Sequence, residues 1–151
     1  VEVAWQAPAS TTLLPQRQDP QLISLRTADG VLTSVEVFVN AVYGYDVRLE
    51  VVGETGTLAY GEPALVVRNK DLARSGGYPT DWRARYTDSY RAEMVSWIGA
   101  LTRGEYDGAL ASAVDGYRAT AVAWAVIDAM NSGSATKVEY PHAALLERTL
   151  R

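Results

Sequence analysis

One histidine, no cysteine and a thin scatter of carboxylates limit the chemistry this chain can carry out alone. Without cysteine there is no thiolate nucleophile, no disulfide and no sulfur ligand for a metal. His142 follows Pro141 in the tail, with no carboxylate or hydroxyl at a telling spacing, and reads as a surface histidine rather than a general base. Asp81, Asp88, Glu93, Asp107 and Asp115 are spread along helix starts and solvated faces, where negative charge complements the helix dipole. No group of His, Asp and Glu has metal-ligand spacing, and Gly53-Glu-Thr-Gly56 lacks the lysine and following helix of a phosphate loop. The four tryptophans and nine tyrosines are not interleaved with basic residues as base-stacking platforms are, so they read as core or interface anchors. No residue is therefore assigned to catalysis, to cofactor binding or to a metal.

The elements that would position any site follow from periodicity. With 48% hydrophobic residues the chain is large enough for one core, and one domain is expected. Its net charge of −4 and pI near 5.0 argue against a nucleic-acid or anionic-membrane surface. No apolar run reaches the roughly 20 residues of a membrane span, and no signal peptide opens the chain, so a cytoplasmic protein is expected. The opening Val1-Glu-Val-Ala-Trp5, without Met, is what a piece of a longer polypeptide would show. Residues 1–6 alternate as a half-buried strand does, and 7–20, with three prolines, form a loop. Strands over 21–27 and 31–40 flank Ala28-Asp-Gly30, a tight hairpin signal. Further strands are expected over 46–52, 57–60 and 64–68, with 69–80 as a polar loop. The period then lengthens to 3.6. Tyr86, Tyr90, Met94, Trp97, Ile98 and Leu101 share one helix face between a Thr80 or Asp81 cap and Gly104, while Arg83, Arg85 and Glu93 lie away from it. A second, mostly buried helix over 110–131 carries Leu110, Val114, Tyr117, Ala121 and Trp124 on one stripe and ends at Gly133. A short strand over 137–140 closes the pattern. The expected fold is α+β: an open, mainly antiparallel sheet with two long helices on one face.

Asn40 followed by Tyr43-Gly-Tyr-Asp46, set between the strand-like runs of Val35 to Gly56, resembles the substrate-side domain of the glucose-fructose oxidoreductase and inositol dehydrogenase family, inositol 2-dehydrogenases in particular. The similarity keeps its order from Asp19-Pro-Gln21 through Thr80-Asp-Trp82 and Tyr90 to Ile98, and ends in Asp115-Gly-Tyr117 and the helix after it. Family members place a tryptophan before that Asp-Gly-Tyr, where this chain has Val114.

The resemblance implies oxidation of a ring hydroxyl of myo-inositol or a related polyol to a ketone, with hydride transfer to NAD; NADP is left open. The family's Gly-rich cofactor turn, its Glu-Lys-Pro lysine and its Asp-x-x-x-His pair have no counterpart here. They are expected in an N-terminal NAD-binding domain absent from this chain, which leaves residues 1–151 as an inert substrate-binding and oligomerisation domain. A cyclitol pocket needs hydroxyl donors and acceptors on rigid elements. By match to the family motif, Tyr45 occupies the position of a tyrosine whose hydroxyl reaches the polyol, with Tyr43 and Asn40 as supporting candidates. The plainer alternative is that Tyr43 and Tyr45 pack on sheet neighbours while Gly44 permits a bulge. Family members commonly form homotetramers through the sheet face that the helices leave open, here the face of Leu32 and Phe38. A competing reading is a stand-alone, non-catalytic ligand-binding or scaffold module of the same fold.

Overall fold

A computed structural model describes residues 1–10, 18–61, 67–105 and 108–141. The chain divides into two compact units, one formed by Val1–Asn40 with Gly108–Arg151 and the other by Ala41–Asp107. Each unit has its own strands and one long helix.

In the first unit, β1 (Glu2–Gln6), β2 (Gln21–Arg26), β3 (Leu32–Val37) and a short final strand, which is the eighth in chain order, Thr136–Lys137, form one antiparallel sheet in the order β3, β2, β1, Thr136–Lys137. The register sets Val3 opposite Leu25 and Ile23 opposite Val35. The β2–β3 turn is the expected Asp-Gly hairpin, with Gly30 at φ +91° and Thr27 N–H donating to Val31 O at 3.0 Å. The helix Ala113–Ser132, second in the chain, covers this sheet by setting Ala125 on Val3 and Val138, with Ile23, Leu25 and Ala121 around them. Val3 has no exposed surface, and full burial of such a side chain contributes about 1.5–3 kcal/mol. The buried positions of that helix are Val114, Ala125 and Ala129, so the stripe runs past Ala121 rather than through Trp124, which is 62% exposed. A capping box starts it: Ser112 Oγ accepts from Asp115 N–H, and the Asp115 carboxylate accepts from Ser112 N–H at 2.8 Å.

The second unit holds two antiparallel hairpins and a helix. β4 (Leu49–Gly53) pairs with β5 (Gly56–Tyr60), and β6 (Val67–Lys70) pairs with β7 (Ala73–Gly76). Among the described residues the strands fall into three sheets, all antiparallel. The expected strand over 64–68 lies partly outside the described residues, and β6–β7 occupies much of the expected loop. Helix α1 (Trp82–Arg103) begins at Asp81, whose side chain accepts from Arg83 N–H, and ends at Gly104, φ +67°. Its expected apolar face is not core: Tyr90, Met94, Trp97, Ile98 and Leu101 are all roughly half exposed or more. With α2 taken as Ala113–Ser132 and β8 as Thr136–Lys137, the class is α+β.

Candidate functional site

Tyr43 and Tyr45 lie on the segment entering β4, and Gly44 between them makes their placement possible. Gly44 has φ +128°, and a Cβ there would stand 2.5 Å from Tyr78 Cβ and 3.2 Å from Pro79 O. Backbone and aromatic ring can approach this closely only without a side chain. The contact lets Tyr45 N–H donate to Pro79 O at 2.8 Å, and it sets the Tyr43 and Tyr78 rings edge to face at 5.1 Å. Tyr45 stands edge-on to Tyr86 of α1, 6.2 Å between centroids and 89° between planes. Both tyrosines therefore do pack on neighbours. Packing of this kind also holds a phenol rigidly, as a binding hydroxyl requires.

Beneath the rings lies a buried charge cluster. The Asp46 side chain is 3% exposed and that of Arg85 is 9% exposed. Arg85 Nη2 donates to Val47 O at 2.6 Å, and Nη1 stands 3.6 Å from Asp46 Oδ1. That separation is an ion-pair distance beyond hydrogen-bond reach, and neither atom has a hydrogen-bond partner among the described residues. Asp46 Oδ2 pairs with Arg48 Nε at 2.7 Å. Arg48 is held above its ordinary value first by the Asp46 charge and then by a side-chain hydrogen bond with Tyr43. The Arg85 guanidinium carbon is 5.6 Å from the ring centroids of both Tyr60 and Tyr86. Tyr86 is pushed above its ordinary value, chiefly by burial.

Beside this cluster a groove of about 620 Å³ runs between the two hairpins of the unit, lined by Arg48, Glu50, Tyr60, Arg74 and Tyr78 among others. Its volume suits a small polar ligand. Tyr43 and Tyr45 do not line it.

The structure thus brings Tyr43 and Tyr45 into one cluster. Asn40 belongs to the other unit, where its backbone N–H donates to the buried Asp19 at 2.6 Å and Val39 N–H donates to the second oxygen at 2.9 Å. Tyr60, Tyr78 and Arg85, distant in sequence from the Tyr43-Gly-Tyr-Asp46 motif, join this cluster without a spacing signal. Asp81 and Asp115 cap helices as expected, whereas His142 and Asp107 lie outside the described residues. Among the described residues no group of three or more His, Cys, Asp or Glu could hold a metal, and no helix is long and apolar enough to cross a membrane.

Comparison with known proteins places this geometry in context. Residues 3–139 match the family profile described as "Oxidoreductase family, C-terminal alpha/beta domain". The chain is 46% identical over 141 residues to Inositol 2-dehydrogenase 2 of Paenarthrobacter aurescens, covering 92% of this chain and 42% of that protein. It is 46% identical over 121 residues to Inositol 2-dehydrogenase 1 of Saccharopolyspora erythraea, covering 80% and 35%. The crystal structure of myo-inositol dehydrogenase from Lactobacillus casei in complex with NAD(H) and myo-inositol superposes with a TM-score of 0.80 at 27% identity, over 92% of this chain and 42% of that one. The chain therefore spans about two fifths of the length of the relatives it matches.

Proposed function

This chain belongs to the oxidoreductase family whose C-terminal alpha/beta domain it matches, and from that premise we propose that it is the substrate-side domain of an NAD-dependent inositol 2-dehydrogenase. The complete enzyme oxidises a ring hydroxyl of myo-inositol or a related polyol to a ketone. The hydride leaves the ring carbon for NAD, bound by an N-terminal domain outside this chain, the hydroxyl proton goes to a base of that domain, and the protein works in the cytoplasm. The observation that carries the reading is the level of identity to inositol 2-dehydrogenases over nearly the whole chain. The stand-alone module gains no support from these relatives.

Within this reading the chain's own residues bind and orient; they move no proton. Tyr45 offers its hydroxyl to the polyol from a ring set edge-on to Tyr86 and a backbone whose N–H donates to the Pro79 carbonyl. Tyr43 holds the neighbouring surface through Tyr78 and Arg48. Asn40 lies in the other unit, its backbone N–H bound to Asp19, and stands outside the tyrosine cluster. Exposed Leu32 and Phe38 in the first unit and, separately, exposed Leu49, Val51 and Leu58 in the second support self-association, with a homotetramer as the proposed state.

The test is Tyr45→Phe in the full-length enzyme, which removes one hydroxyl and keeps the ring. Losing a hydrogen bond and stranding a buried partner costs about 1–3 kcal/mol. Steady-state kinetics should show kcat/KM for inositol falling roughly tenfold to a hundredfold, with NAD affinity unchanged. Wild-type activity in this variant would return Tyr45 to a packing role, and an enzyme that reduces no NAD with any inositol or sugar would overturn the function.

A further inference from the structure

We propose that Arg85 is a positioning residue for Tyr45, a role that rests on the reading that Tyr45 meets the polyol. Tyr45 is anchored on its N-terminal side by the bond from its own N–H to Pro79 O. On its C-terminal side the next two residues both reach Arg85. Asp46 Oδ1 faces Nη1 at 3.6 Å, and Val47 O accepts from Nη2 at 2.6 Å. The same guanidinium lies 5.6 Å from the centroid of Tyr86, the ring against which Tyr45 stands edge-on. One cation thus fixes both the backbone that follows Tyr45 and the ring beside it.

Neither the helix nor solvent explains this arginine. It sits in the opening turns of α1, where the helix dipole disfavours positive charge, and the acidic cap Asp81 is paired with Arg83 rather than with Arg85. Its side chain is 9% exposed, so its charge is held by protein groups rather than by water. A planar fork is what this arrangement needs: a lysine ammonium is a single point charge that cannot donate to Val47 O, face Asp46 and lie beside two rings at once. Arg85→Lys keeps the charge near Asp46 but weakens the hold on Val47 O, and a displacement of about 1 Å in a binding group can cost on the order of a hundredfold in rate.

The experiment is a double-mutant cycle in the full-length enzyme, comparing wild type, Tyr45→Phe, Arg85→Lys and the pair by steady-state kinetics in inositol and in NAD. Each single substitution should lower kcat/KM for inositol by about tenfold or more, KM for NAD should not move, and the double variant should be no worse than the worse single one. Independent losses that multiply, or a parallel loss of NAD affinity, would make Arg85 a structural residue and overturn the proposal. Full activity in Arg85→Lys would overturn it too, leaving the Tyr45 reading intact if Tyr45→Phe is impaired. A silent Tyr45→Phe would remove both. If Arg85→Lys does not fold, Asp46→Asn takes its place in the cycle. It keeps the side-chain shape and the Val47 bond while deleting the charge that faces both Arg85 Nη1 and Arg48 Nε, and a smaller loss, again absent on a Tyr45→Phe background, is expected.

Discussion

Gly44 is the residue on which the tyrosine cluster turns. A Cβ at φ +128° is strained, and it would also drive Tyr78 away from Tyr43. Gly44→Ala should therefore lower stability by about 2–4 kcal/mol, measured by urea unfolding, because backbone strain and overpacking each cost on the order of 1–3. Little change would mean that the segment can adopt another path. The Tyr-Gly-Tyr-Asp pattern was legible because its members are adjacent in sequence. Arg85 was not legible as a partner: the residues it holds, Asp46 and Val47, lie nearly forty positions upstream, and periodicity placed it away from the apolar face of its helix. The one available signal was a cation in the opening turns of a helix, where the dipole disfavours it.

Elements with strong local chemistry appear where their residues place them. Asp81, Gly104 and Gly133 bound the two helices, and the Asp-Gly step bounds the β2–β3 hairpin. The β6–β7 hairpin had no such signal. Its strands, Val67-Arg-Asn-Lys70 and Ala73-Arg-Ser-Gly76, are exposed throughout and lack apolar alternation. Its turn places Asp71 and Leu72 at φ +52° and +60°, a conformation for which Asn-Gly is the usual signature. The capping box of α2 offers a measurable case. Ser112→Ala removes the oxygen that accepts from Asp115 N–H and should cost about 1 kcal/mol by urea unfolding. It should also change the acid limb. Hydrogen bonds from the Ser112 backbone and side chain hold the Asp115 carboxyl below its ordinary value. Its contribution is therefore present above the usual carboxylate range and is lost as pH falls through the lowered value. Removing the hydroxyl should flatten that loss, and an unchanged acid limb would place the shift elsewhere.

At the scale of the molecule, apolar surface left uncovered is the main departure from what periodicity implied. A 3.6 repeat identifies a helix face that will be buried, but not whether the burial occurs within the chain, and the α1 face carrying Trp97 and Leu101 shows the difference. Sedimentation should find the protein associated rather than monomeric, and Phe38→Glu should weaken that association. A monomer at high concentration, or an unaffected assembly in the variant, would exclude the Leu32 and Phe38 surface.

The strand order of the first unit also sets a timetable for synthesis. Val3 finds its packing partners in Ala125 and Val138, and the backbone of Val1 accepts from Val138 N–H at 2.9 Å. A ribosome delivering residues from the N-terminus must make well over a hundred of them before the first strand can bury its side chains, whereas the second unit is complete by residue 107. Long-range closure of this kind is slow, and domains emerging from the ribosome fold as they are completed. The inserted segment should therefore be ordered while the sheet it interrupts is still waiting for its last helix. In that interval β1 to β3 would be a naked three-stranded sheet, the stage at which the nascent protein is most exposed to chaperones and to aggregation.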